Sequence, residues 1–130
     1  MKNKGFTLME MVLTVIVIAI LVSIAVPSYI NTVERARARE ARATLDSMRA
    51  AEYMYSAERR AFIQLDKAVD GPWEACGLEN PNNNARRSFD YNLTLGGGGF
   101  TGIATRLDGP NALETITMDQ DGNEGGTWIP

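Results

Sequence analysis

The chain has 130 residues, with 16 acidic and 13 basic side chains for a formal net charge of −3, one cysteine and no histidine. That is room for one modest domain, and so weak an acidity gives no footing for nucleic acid or a polyanionic substrate. Without histidine there is no Ser-His-Asp or Cys-His catalysis and no histidine metal site; Cys76, alone, can form no intrachain disulfide.

From Met11 to Val26 the sequence reads MVLTVIVIAILVSIAV, polar only at Thr14 and Ser23. Extended back to Phe6 the segment has 21 residues, with Glu10 as its single charge. A helix needs roughly 20 residues to cross a hydrocarbon core of about 30 Å, so this length predicts a span. Pro27 follows, and a proline inside a helix predicts a kink. The next stretch, 28–65, is rich in Ala, Arg, Glu, Met and Leu, all strong helix formers. Ile30, Val33, Leu45, Met48, Tyr55 and Phe62 recur at helical spacing, with Ala41 bridging the gap, which is the stripe of an amphipathic helix. A helix from Phe6 to Phe62 would be about 85 Å long. A head this small cannot cover it, so its first half must lie in lipid or against other copies.

Residues 66–87 carry loop chemistry: Gly71-Pro72, Gly77 and Asn80-Pro81-Asn82-Asn83-Asn84. Three strands are predicted within 88–119. Phe89, Tyr91, Leu93 and Leu95 alternate with Asp90, Asn92 and Thr94; Phe100–Arg106 follows the glycines at 96–99; Leu113–Met118 follows the Asp108-Gly109-Pro110-Asn111 turn. Residues 120–130 read as a tail containing Trp128. The expected fold class is α+β: one long N-terminal helix packed on an antiparallel sheet of about three strands, with Leu45, Met48 and Tyr55 covering the sheet's apolar face.

Glu10 needs a reason. Thr7-Leu8-Met9-Glu10 fits a capping box, and an acid in a first helical turn is favoured by the macrodipole. A secretory signal is a second reading: Lys2 and Lys4 as the basic region, Met11–Val22 as the apolar core, and cleavage after Ala25 to release a small binding module. An acid heading the apolar run, and a helical pattern that continues past Ala25, oppose it.

Gly5-Phe6-Thr7-Leu8-Met9-Glu10-Met11, behind two lysines and ahead of the span, with Pro27 and Tyr29 beyond, resembles the class III signal of type IV pilins and of their relatives, the type II secretion pseudopilins. The resemblance implies a leader at 1–5, a membrane and filament-core helix at 6–27, and a globular pilin head at 28–130. It implies cleavage between Gly5 and Phe6 by a prepilin peptidase, methylation of Phe6, storage in a bacterial inner membrane and polymerisation by pilus or secretion machinery into a surface or periplasmic filament. An acid at the centre of a membrane helix costs about 2.5–3.5 kcal/mol, less near the interface. The ammonium that cleavage creates at Phe6 is its natural partner. The resemblance implies that this partner belongs to a neighbouring subunit, while pairing within one chain stays geometrically open. No catalytic residue and no cofactor is expected, and the partners are other copies, the membrane and the assembly machinery.

Arg35, Arg37, Arg39 and Arg42, interleaved with Glu34 and Glu40, read as a solvated helix face rather than a nucleic-acid site. A positive-inside count on these arginines favours the opposite orientation to the one the resemblance implies. Pseudopilins often bind calcium near the C-terminus, which makes Asp119, Asp121 and Asn123 candidate ligands. An EF-hand, however, has its glycine at the sixth loop position, and here Gly122 is at the fourth. A turn after the third strand accounts for the same residues. Many type IV pilins close their C-terminal segment with a disulfide; whatever holds this chain after Met118 must be something else.

Overall fold

The computed structural model describes residues 5–128, in two compact units divided between Ala36 and Arg37. Helix α1 spans Leu8–Arg59. Its residues up to Ala36 make up the described helix of the first unit. Every Leu, Ile, Val and Met from Leu8 to Ile30 is exposed there. Three hydroxyls of this unit turn back onto the helix: Thr14 Oγ1 donates to the Glu10 carbonyl at 2.8 Å, Ser23 Oγ to the Ile20 carbonyl at 2.7 Å and Thr32 Oγ1 to the Ser28 carbonyl at 2.9 Å. Such back-bonding satisfies a polar side chain without water, as an apolar environment demands. α1 continues through Pro27 instead of ending there, although proline removes the N–H that the Ser23 carbonyl would otherwise receive.

In the second unit, α1 lays Ala38, Ala41, Leu45 and Met48 into the core. The alanines keep the backbone close to the sheet and the two larger side chains fill the space between. Tyr55, expected in this cover, is only half-buried. The helix stops at Arg59 because Arg60 takes a left-handed conformation, φ 58°, shorter than the sequence pattern through 65 suggested. The chain then turns, tucks Phe62 and Ile63 against the core, and joins Leu65 to Leu93 by two backbone hydrogen bonds of 3.1 and 2.8 Å.

The segment read as loop holds two short elements. Helix α2, Asp70–Ala75, buries Trp73, whose Nε1 donates to the Asp66 carbonyl at 2.9 Å. A 3-10 turn follows at Pro81–Asn83. Gly71-Pro72 suggested a break, but a proline in the first turn of a helix loses no intrahelical bond.

The sheet is an antiparallel meander of β1 (Phe89–Gly96), β2 (Gly99–Arg106), β3 (Thr115–Asp119) and β4 (Glu124–Gly126), in that order. Phe89, Tyr91, Leu93, Phe100, Ala104, Ile116 and Met118 face the helix in the core. Leu95, expected among them, is 46% exposed. The sheet therefore has four strands where three were expected, and part of the presumed tail is β4. Two glycines read as an opening into a tail, yet Gly126, at φ 110°, is where β4 comes so close that a Cβ would run into the Thr115 carbonyl. Only glycine permits that approach.

Candidate functional site

The N-terminal site is built on the start of α1. Thr7 caps it: its carbonyl takes the first helical bond, from Met11 N at 3.2 Å, and its Oγ1 accepts the Glu10 N–H at 3.2 Å. Glu10 Oε2 reaches back to the Thr7 N–H at 3.5 Å, completing a reciprocal capping box. Gly5 and Phe6 stand just before the helix, and the Phe6 side chain is 74% exposed. Met1–Lys4, the rest of the expected leader, lie outside the described residues. Glu10 thus sits one turn from Phe6, at the head of an apolar surface of about sixteen contiguous large side chains from Leu8 to Ile30. The span is long and apolar enough to cross a membrane, and none of it is buried.

The second site is the turn from β3 to β4, where Asp119, Asp121 and Asn123 come together. Asp119 Oδ1 accepts the backbone N–H groups of Asp121 and Asn123 at 2.9 and 2.8 Å, and its Oδ2 accepts the Asn123 side-chain amide at 2.9 Å. These donors, the Asn123 amide first, hold the Asp119 carboxyl below the usual carboxylate range. Three side chains of α1 meet the same turn. Arg42 Nε pairs with Glu124 at 2.8 Å, Tyr53 donates to the Gln120 carbonyl at 2.9 Å, and the Arg49 guanidinium packs over Gly122. Among the described residues no three His, Cys, Asp or Glu side chains converge as metal ligands.

The C-terminal segment is closed without a disulfide. Trp128 stacks on Phe89 with centroids 6.2 Å apart and planes 14° apart, and its backbone N–H donates to the Thr115 carbonyl at 3.1 Å. Arg106, wholly buried, lies 5.3 Å from the Phe89 centroid and donates to Ser88 O at 2.7 Å and Asp108 Oδ1 at 2.6 Å. Sequence reasoning missed Arg106, but the signal was there: it continues the inward positions 100, 102 and 104 of β2.

Cys76 is accounted for as well. Its thiol faces Glu52 Oε1 at 3.6 Å, while Glu52 Oε2 accepts the Ile63 N–H at 3.0 Å. Burial, reinforced by the Glu52 charge, pushes the thiol up to about 12, so it is a weak donor and not a nucleophile. Burial also raises the Glu52 carboxyl, partly offset by its two donors.

An apolar helix with no cover of its own, continuing into a closed α+β head, defines a class of protein: a subunit completed by what surrounds its first half. The comparisons agree. Residues 1–26 match the Prokaryotic N-terminal methylation motif. The chain is similar to Fimbrial protein Q of Moraxella bovis, 30% identical over 97% of this chain and 83% of that one. It is 34% identical to the type IV major pilin protein PilA of Myxococcus xanthus over 53% of this chain, but spans only 29% of that relative's length. It is 23% identical to the type II secretion system core protein G of Pseudomonas aeruginosa, over 97% of this chain and 89% of that one. No solved structure gives a significant match. The chain belongs to the superfamily of type IV pilins and type II secretion pseudopilins.

Proposed function

We propose that this chain is a structural subunit of a type IV pilus-like filament. In this reading it enters the inner membrane as a prepilin, loses residues 1–5 by cleavage between Gly5 and Phe6, is methylated at Phe6 and polymerises through α1. The observation that carries the proposal is the uncovered apolar surface from Leu8 to Ile30 with one carboxylate at its head. Lipid covers that surface in the stored subunit and neighbouring helices replace lipid in the filament. Packing of closely matched surfaces, rather than exclusion of water, then drives association. Glu10 caps its own helix in the single subunit. In the filament it exchanges that weak contact for the ammonium of a neighbour's Phe6, a charge-assisted bond in a dry environment, and so sets the axial register. Pro27 supplies a bend where the membrane part gives way to the head. No catalytic group or cofactor enters this account.

Replacing Glu10 with Val should leave cleavage largely intact and abolish or cripple filament assembly, read by recovery of sheared filaments against processed subunit in the membrane. Normal filament yield would contradict the register role. A second reading is favoured by the similarity to core protein G over nearly the whole chain: a pseudopilin assembled by the same steps into a short periplasmic filament.

A further inference from the structure

The β3–β4 turn is where a kinship with pseudopilins implies calcium, and its side chains do not fit the ion. Calcium takes about six to eight oxygens that present free lone pairs. Here three N–H donors from within the turn take three of the about four lone-pair positions of the Asp119 carboxylate, which leaves little of it for a cation. The Gln120 carbonyl accepts the Tyr53 hydroxyl, and Glu124 Oε2 is paired with Arg42. The Arg49 guanidinium lies against the same turn: a Cβ placed on Gly122 would be 3.3 Å from its Cζ and Nη1. Arg49 is itself steadied by Asp46, at 3.1 Å and three residues back on the helix. A divalent ion brought to this turn would face two guanidinium groups at short range.

We propose that Arg42 and Arg49 serve the turn as a built-in cation. α1 carries the positive charge that closes the C-terminal segment, and the head folds without a divalent ion. The inference rests on the filament reading above and sharpens it, because a head closed by its own arginines fits a pilus subunit better than a calcium-closed pseudopilin. The sequence hid this arrangement. Arg42 and Arg49 lie seven residues apart, two turns along one face of the helix, but Glu124, the partner of Arg42, is 82 residues further on.

Thermal unfolding of the full chain in detergent micelles, first with excess EDTA and then with millimolar calcium, tests it. The same midpoint is expected in both. Arg42→Gln combined with Arg49→Gln should speed amide exchange at Gly122 and Asn123 about tenfold while leaving Leu93 and Ala104 unchanged. A midpoint raised by calcium overturns the proposal, and so does turn exchange indifferent to the double variant. Should that variant not fold, Arg42→Lys with Arg49→Lys keeps the charge and should exchange nearly as the native chain does; a tenfold loss of protection there would equally overturn it. A calcium response would leave filament assembly untouched, since Glu10→Val reads that separately.

Discussion

Leu13 and Leu45 lie on one helix and meet opposite fates: Leu13 is 60% exposed and Leu45 only 1%. Composition does not separate them, since both are helix-favouring leucines. What differs is the chain around them. Beyond Arg37 the helix has charged residues on its outer side and a sheet to lie on. From Met11 to Val26 it is apolar on nearly all sides, and a helix that is apolar all round is made for lipid or for other helices. One stretch of secondary structure therefore belongs to two environments, and the first is supplied from outside the chain.

The sharpest way to break that comparison is to make the same truncation at both places. Leu45→Ala should destabilise the head by about 2–5 kcal/mol through lost burial and a cavity, read as a lower denaturation midpoint of the subunit in detergent. Leu13→Ala should cost the same subunit less than about 0.5 kcal/mol and show its effect only as weaker filaments. Equal losses in the isolated subunit would mean that the first unit has a fold-stabilising cover of its own.

A smaller effect sharpens the account of the head. Glu52 is raised in the folded state by burial. Between its ordinary value of 4.5 and the raised one, the folded chain keeps a proton that the unfolded chain has released, so stability falls as pH rises through that window and stays lower above it. Glu52→Gln should flatten this fall, read by urea unfolding across mildly acidic to neutral pH. Asp70, Asp90 and Asp119, held below their ordinary 3.8 in the fold, act with the opposite sign: their contribution is present above 3.8 and is lost as pH drops further. An unchanged slope in the Gln variant would show that Glu52 is not the group responsible.

Much of this was legible in the sequence because it was periodic. The apolar run, the Ala41-Leu45-Met48 stripe and the alternation at Phe89, Tyr91 and Leu93 each bury or expose as their spacing indicates. What escaped was held by contacts between distant residues. Asn82 sits in a polar stretch that composition assigns to a loop, yet its side-chain amide exchanges two hydrogen bonds with the Tyr91 backbone, at 2.8 and 2.7 Å. It thereby partners β1, which lies at the sheet's edge. β4 has three residues, two of them glycine, too short and too bare for any period to register. At the N-terminus the capping-box spacing of Thr7 and Glu10 was readable from local pattern alone, and its geometry is present. A role for Glu10 between subunits depends on where the Phe6 of another copy comes to lie, a placement that the pattern of one chain does not encode locally.

Whether α1 is kept for assembly is read most plainly from the intact mass, with N-terminal fragmentation, of the protein recovered from its own cell envelope. The account predicts a chain that begins at methylated Phe6, with the apolar surface behind it retained. A chain beginning at Val26 would mean that this surface is discarded on export, and would contradict the assembly role given to α1 and Glu10.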